Sequence, residues 1–194
     1  MLALAAAGLL IQAVPITDPC AYDRAARLAL DEHAFDQDME GGWRALARDP
    51  RCHVAAADLL RDYRAAHGND HSILIWHEGQ MRAMAGQAAD AIALFDRARH
   101  PDPDGFGWNL YVDASIAFLR GDRPALIAAR DALAALPRPA DFAPRDPLGR
   151  AISVSWPPNL NIVDGFVACF GRSYREAYGT PRCAPPPADP PAGR

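Results

Sequence analysis

Small residues recur in one stretch of the chain, from Ser72 to Pro103, at spacings that packed helix pairs require. The intervals between the marked positions are seven, five, four, three and five residues, and apolar residues lie between them at helical spacing. The marked positions are Gly79, Gly86, Ala91, Phe95, Ala98 and Pro103. The pattern predicts two antiparallel helices over about 73–85 and 88–99, because glycine accepts the left-handed conformation that ends a helix.

The same stretch predicts how the two helices pack. Gly79 and Ala91 are expected where the helices cross, because their small side chains allow close backbone approach, and Phe95 is expected beside them. With Pro103 ending the unit, the stretch resembles the tetratricopeptide repeat, a 34-residue helix-turn-helix. Glu78 and Arg82 stand where that family usually has a leucine and a tyrosine. They are therefore expected either to turn outward or to form a buried polar pair.

A second unit follows the first and extends the resemblance over residues 72–136. Helices are predicted over about 108–120 and 123–136, separated by Gly121. Ala125 and Ala132 lie 34 residues after Ala91 and Ala98, and we expect them to have the same packing role, whereas Gly121 lies 35 residues after Gly86. The resemblance implies an all-α fold, a right-handed superhelical array of antiparallel helix pairs.

The rest of the chain is predicted to complete one helical domain over residues 18–178. Upstream helices are expected over about 20–34, 38–48 and 51–67. Residues 137–158 contain six prolines and are expected to form an extended connection across the helices. The last helix is expected over 162–178, where it would cap the open end of the repeat stack, and the proline-rich tail 179–194 is expected to be disordered.

The beginning of the chain and its composition indicate export from a bacterial cell. Residues 1–14 are uncharged and apolar, which favours a signal peptide cleaved after Ala13, although the usual positive residue is absent. The alternative is an apolar N-terminal helix packed on the repeats. The segment is too short for a membrane span of about 20 residues. All twenty basic residues are arginine, a bias typical of G+C-rich bacterial genomes.

The four cysteines predict two disulfide bonds. In an up-down-up array the first and third helices point the same way, so Cys20 and Cys52 are expected at the same end. Cys169 would lie on the last helix, and the turn after it would return Cys183 to the same place. These pairings, Cys20–Cys52 and Cys169–Cys183, favour the periplasm or the cell exterior. The alternative is four thiols in a cytosolic protein.

The expected function is that of a non-catalytic interaction or scaffold protein of the cell envelope, which binds a peptide or protein on the concave face of the helix pairs. An alternative is a closed structural or assembly domain, whose own C-terminal part fills that face. The candidate binding residues share the first helix of each pair. They are Trp76, Gln80, Ala83, Trp108, Asn109, Leu110, Tyr111, Asp113 and Ala114.

Neither a catalytic motif nor a cofactor motif is present in the sequence, and no catalytic residue is assigned. A low-ranking alternative is an enzyme whose site gathers dispersed residues such as His77, Glu78, Asp113 and Arg82. The net charge of −4, without a basic cluster, argues against binding to nucleic acid.

No metal site is expected. Two groups of polar residues have metal-binding side chains but lack the spacing of known sites. The histidines and carboxylates between residues 67 and 78 lack the second zinc-ligand histidine that such a motif requires. Asp36, Asp38 and Glu40 precede their glycines instead of enclosing one, unlike a calcium loop, and are interpreted as a capping loop with a solvated face.

Overall fold

The computed structural model describes residues 18–101, 106–145, 149–179 and 183. The apolar segment 1–14, Pro103 and nearly all of the proline-rich tail lie outside these residues. Helices packed on helices make up the described chain, and its only β-structure is an isolated antiparallel bridge between Arg145 and Ala151. The α-helices are α1 Arg24–Leu28, α2 Arg44–Ala47, α3 His53–His67, α4 Ser72–Met84, α5 Ala88–Arg97, α6 Trp108–Arg120, α7 Arg123–Ala134, α8 Leu160–Ala168 and α9 Tyr174–Ala177.

Helices α3 to α7 lie where the sequence predicts them, whereas the helices expected over 20–34, 38–48 and 162–178 are much shorter; the second of these is only α2. The helix expected over 20–34 is only α1, followed by a π-helical turn at His33–Gln37. Helix α3 supplies the physical reason. The Tyr63 hydroxyl donates to the carbonyl of Leu30, 3.0 Å away, and the His67 ring lies 2.8 Å from the carbonyl of Leu28. These long-range bonds satisfy carbonyl groups that a continuing helix would otherwise use.

The helix expected over 162–178 is broken into α8 and α9. Gly171 has a φ of +86°, which turns the chain out of the helical path. Ser173 then starts α9 with a reciprocal capping box. Its hydroxyl accepts from the Glu176 N–H, and the Glu176 carboxylate accepts from the Ser173 N–H. The break allows the C-terminal part to fold back over the other helices.

Helix α4 belongs to both hydrophobic clusters of the protein. Its Leu74 and Met81 pack with α3 and the N-terminal segment, where Phe35 stacks on Tyr63 at 3.6 Å between ring centroids. Its opposite side, including Trp76, packs with α5 to α9. The two clusters therefore share one helix as their common wall.

The contact between α4 and α5 is as close as the small-residue pattern indicates. A Cβ placed on Gly79 would lie 2.7 Å from Cδ1 of Phe95 and 3.2 Å from Cβ of Leu94. Trp76 stacks on Phe95 with 4.2 Å between ring centroids. Ala91, Phe95 and Ala98 are fully buried, so these positions pack as expected.

In the second unit the packing positions are displaced by one residue. Ala125 and Ala132 are exposed, so their predicted packing role is wrong. Leu126 and Leu133 are fully buried instead. The reason is the length of the unit: α7 begins 35 residues after α5, in the same register as Gly121 after Gly86, so a 34-residue spacing selects the wrong face of the helix.

Glu78 and Arg82 are both buried, which decides between the two expectations for them. Glu78 accepts a hydrogen bond from Arg64 of α3, and Arg82 donates to Asp58 at 2.6 Å. Burial raises the pKa of Glu78, although Arg64 and Arg82 oppose that effect. The positions that the repeat family fills with apolar residues thus hold an ion network between α3 and α4.

Both predicted disulfide bonds are present. Cys20 is bonded to Cys52 at the start of α3, and Cys169 at the end of α8 is bonded to Cys183. The bonded cysteines are 32 and 14 residues apart in the sequence. Each bond therefore fixes a terminal segment onto the helices.

We expect Gly79→Ala to lower the free energy of unfolding by about 1–2 kcal/mol, because the added methyl group would overlap the Phe95 ring. In an open helix the same change would be stabilising by up to about 1 kcal/mol, so the sign of the effect reports the close contact. Urea unfolding measures it. In a Phe95→Leu background the cost should shrink, and a stabilising Gly79→Ala would contradict the observed packing.

Removal of each disulfide by paired alanine substitutions should be destabilising, by about 4 kcal/mol for Cys20–Cys52 and about 3 kcal/mol for Cys169–Cys183, because the first closes the longer loop. Equilibrium unfolding gives the two values. Thiol titration of the unfolded, unreduced protein supplies the control: it should detect no thiols before reduction and four afterwards, and four before reduction would show that neither bond forms.

Candidate functional site

The residues predicted to bind a partner on the concave face lie mostly inside the protein. Five of the nine have less than a tenth of their surface exposed: Trp76, Gln80, Ala83, Tyr111 and Ala114. Trp108, Asn109 and Leu110 are half-buried, and Asp113 is exposed and paired with Arg99 at 2.7 Å. A partner could not reach the buried five without moving other parts of the chain. The prediction that these five bind a partner directly is therefore wrong.

The C-terminal part of the chain packs against some of these residues. Gln80 of α4 donates a hydrogen bond to the Tyr178 hydroxyl at 2.8 Å. Tyr174 of α9 is buried, and its ring centroid lies 5.2 Å from that of Phe166 and 6.1 Å from that of Phe95. Burial holds the pKa of the Tyr174 phenol well above its ordinary value. Aromatic rings of the C-terminal part therefore pack against residues of α4 and α5.

A buried polar cluster lies beside the middle of α4, with Asp36 at its centre. This carboxylate is 1% exposed, so its interpretation as part of a solvated face is wrong. His77 Nδ1 lies 2.7 Å from Oδ1 of Asp36, and the Trp43 indole donates to the same oxygen at 2.8 Å. Gln37 donates to the other oxygen at 2.5 Å, and Arg44 donates to the Asp36 carbonyl.

These donors keep Asp36 ionised inside the protein. Burial alone raises the pKa of Asp36, but the hydrogen bond and charge of His77, the Trp43 indole and Arg44 outweigh it, so the pKa lies below its ordinary value. The Arg44 guanidinium also stacks over the Trp43 ring at 4.3 Å. The cluster thus joins the π-helical turn, α2 and α4 by charge-assisted bonds.

An aspartate bonded to a histidine is also the orienting half of many hydrolytic sites, in which the other ring nitrogen of the histidine bonds to the nucleophile. Among the described residues, Asp36 is the only hydrogen-bonding partner of the His77 ring, and no nucleophilic side chain is bonded to its Nε2. Glu78 and Arg82 face the α3–α4 ion network instead. The residues proposed for a dispersed catalytic site therefore do not converge among the described residues.

The other polar residues considered as metal ligands are bound to separate partners. His71 Nδ1 lies 2.9 Å from Glu32, and Asp70 accepts from Arg64 at 2.9 Å. The described part of the chain contains no group of three or more histidine, cysteine or carboxylate side chains placed to hold a metal ion.

Clefts lie at two places on the described surface away from these residues. One, of about 460 Å³, lies between the ends of α4 and α6 and the segment before α9, with Met84, Leu119, Arg172 and Arg175 among its walls. The other, of about 350 Å³, lies within the connection between α7 and α8. No sequence motif marks either cleft, because their walls come from segments that approach one another only after folding.

Comparisons with models of protein families, with curated proteins and with solved structures find no match to this chain. Within the residues that the structure describes, none of the helices has the length and apolarity to cross a membrane. The geometry of the chain itself is therefore the basis for inferring its function.

Asp36→Asn should lower the free energy of unfolding by about 2 kcal/mol at pH 7, because it removes the charge that pairs with His77. The pKa of Asp36 is depressed in the folded protein, so its contribution is present above the ordinary aspartate pKa and is lost as the pH falls through the folded pKa. The difference between the variant and the wild type should therefore narrow below about pH 4.

Urea unfolding at pH 7 and pH 3 measures both values. Glu40→Gln is the control, because Glu40 is exposed and pairs only with Arg48 at the surface, so it should change stability little at either pH. Equal stability of wild type and Asp36→Asn at pH 7 would mean that the cluster contributes nothing.

Proposed function

We propose that the protein is a non-catalytic interaction or assembly domain of the bacterial cell envelope, whose concave helical face is filled by its own C-terminal part. The observation that carries this proposal is the hydrogen bond from Gln80 to Tyr178, together with the burial of Gln80 and the packing of Tyr111 in one hydrophobic cluster with residues of α8 and α9. A self-filled face leaves the outer surface for contacts with other proteins.

The proposed architecture is a pair of tetratricopeptide-like repeats, α4–α5 and α6–α7, within one domain over residues 18–178. Support comes from the close contact of Gly79 with Phe95 and from the left-handed glycines that end α4 and α6, Gly86 at φ +80° and Gly121 at φ +68°. The connection 137–158 would lead across this array to α8, which packs on both α6 and α7. A right-handed superhelix is the arrangement expected of such repeats.

The proposed compartment is the periplasm or the cell exterior. All four cysteines are paired in two disulfide bonds, which persist in oxidising compartments. The apolar residues 1–14 are proposed as the signal peptide that directs export. A chain without lysine fits a G+C-rich bacterial source.

The peptide-binding alternative requires α8 and α9 to leave the concave face, and several contacts oppose that movement. Asp164 of α8 accepts from Arg130 of α7 at 2.8 Å, and the Tyr178 hydroxyl accepts from Gln80 of α4 at 2.8 Å. Phe166 stacks on Phe118 of α6 with 4.8 Å between ring centroids. Opening would break the polar bonds and expose the stacked rings of Phe166 and Phe118 to water.

Hydrogen exchange of the full-length protein tests the filled face. The amides of α8 should be protected to the same degree as those of α4, because the two helices open together in a closed domain. A protein with an openable groove should instead show exchange in α8 and α9 far faster than in α4. The exposed amides of Ser153 and Val154, which are not hydrogen-bonded among the described residues, are an internal control that should exchange quickly in either case.

A further inference from the structure

A cleft of about 460 Å³ lies where α4, α6 and the start of α9 meet, and we refer to it as the α4–α6 cleft. Its volume is within the range of about 300–1,000 Å³ that small-molecule sites occupy. Separate segments of the chain supply its walls: the end of α4 with the turn into α5, the end of α6, Pro50, and residues 172–175. The cleft therefore exists only in the folded chain.

The walls contributed by α4 and α6 are mainly apolar. Met84 of α4 and Leu119 of α6 line the cleft and are half-buried, so part of each side chain is open to a ligand. The end of α4 also closes its own backbone, because the Gln87 N–H donates to the Arg82 carbonyl at 2.8 Å. These walls offer a ligand hydrocarbon contacts more than hydrogen bonds.

The wall contributed by residues 172–175 carries two positive charges. Arg172 and Arg175 both line the cleft and are exposed. Within the part of the chain that the structure describes, neither guanidinium forms an ion pair or a side-chain hydrogen bond. The described residues that line the cleft include no aspartate or glutamate. Both charges are therefore available to a carboxylate, and hydrogen bonds between ionised groups are about twice as strong as neutral ones.

The polar groups beside these arginines are already bonded to each other. The Glu176 carboxylate accepts from the Ser173 N–H at 3.0 Å and from the Ser173 hydroxyl at 2.6 Å, and these bonds lower the pKa of Glu176. A peptide buried in the cleft would need partners for its amide groups, because an unpaired buried amide is costly. The walls thus favour a ligand whose only polar group is its charged head.

The positive charge also acts on a buried residue nearby. His53 at the start of α3 is 7% exposed, and its Nδ1 has no hydrogen-bond partner among the described residues. Burial lowers the pKa of His53 and the charge of Arg175 adds to that effect, although the carbonyls of Met84 and Ala47 oppose it. An anion placed at Arg175 would offset that charge, so the His53 imidazole can report on the cleft.

We infer that the α4–α6 cleft binds an anionic amphiphile with a single apolar chain, whose carboxylate pairs with Arg172 and Arg175 and whose chain contacts Met84 and Leu119. The inference goes beyond the proposed function, because it assigns a small-molecule ligand to a protein proposed to contact other proteins. Such a ligand would join α4 and α6 to residues 172–175, and would help to hold the C-terminal part on the other helices.

Titration of the full-length protein with sodium decanoate, kept below the concentration at which it forms micelles, tests the inference. Calorimetry should show saturable binding with a Kd below about 1 mM. Octanoate should bind up to about fifteenfold more weakly, because it buries two fewer methylene groups. Decyltrimethylammonium, which has the same chain and the opposite charge, should bind at least about tenfold more weakly than decanoate.

Matched variants locate the site. Arg172→Gln and Arg175→Gln should each weaken decanoate binding several-fold, whereas Arg138→Gln, which changes an arginine of the other cleft, should not. Ala88→Trp should block the α4–α6 cleft, and Ala89→Trp, which changes the exposed neighbour outside the cleft, should leave binding intact. Unchanged thermal midpoints will show that each variant is folded.

The wild-type protein provides a test that needs no substitution. Decanoate should raise the pKa of the His53 imidazole, followed by NMR, because its carboxylate offsets the charge of Arg175. Decyltrimethylammonium should not raise it. Decanoate binding that leaves the pKa of His53 unchanged would place the carboxylate away from Arg175 and would overturn the inference.

The inference would also be overturned by a lack of saturable decanoate binding, by equal binding of decyltrimethylammonium, or by binding that survives in a variant with both Arg172→Gln and Arg175→Gln. Tighter binding of a glutamate–leucine octapeptide, lost in that double variant, would make the occupant a polypeptide, and dimerisation lost in it would make the occupant a second copy. These outcomes leave the proposed function standing if α8 keeps the hydrogen-exchange protection of α4. Loss of that protection alone would reject the filled face.

Discussion

The fold depends on how closely α4 can approach the helices on both of its sides. On the α5 side, Gly79 has no side chain, so the Phe95 ring lies where a Cβ would be. On the α3 side, the Glu78 carboxylate forms ion pairs with Arg64 of α3 and with Arg82 of α4 itself. One contact is apolar and depends on shape, and the other is ionic and depends on charge pairing, because a buried charge without its partner is costly. Between them they fix the position of α4 among its neighbours.

The parts of the fold that local sequence can specify were predicted well, and the parts governed by distant contacts were not. Helix α6 and the disulfide bonds follow from caps, periodicity and the order of the helices. The early end of α1 was not predictable, because it depends on Tyr63 binding the carbonyl of Leu30, 33 residues away. A one-residue difference in repeat length was enough to assign Ala125 to the core in place of Leu126, because neighbouring helix positions point in different directions.

The candidate site shows the same limit more sharply. Asp36 and His77 are 41 residues apart, and nothing in the sequence around either one indicates that they form a buried pair. The small-residue pattern correctly indicated which helices pack, but it carries no information on whether a later segment covers them. The sequence therefore predicts that Gln80 contacts a ligand, whereas in the structure its side chain donates to Tyr178 of the same chain. The spacing of small residues is a local signal, whereas the contact of Gln80 with Tyr178 joins residues that lie 98 positions apart.

The shared position of α4 also has a consequence for how the protein loses its structure. A helical array normally has contacts only between neighbouring units, so its ends can melt while its centre stays folded. Here Leu74 and Trp76, two residues apart on α4, belong to different hydrophobic clusters. Neither cluster can come apart without removing a wall of the other, and the C-terminal helices add contacts that skip over the intervening units. We therefore expect unfolding to be coupled along the chain, so that the helices melt as one cooperative unit.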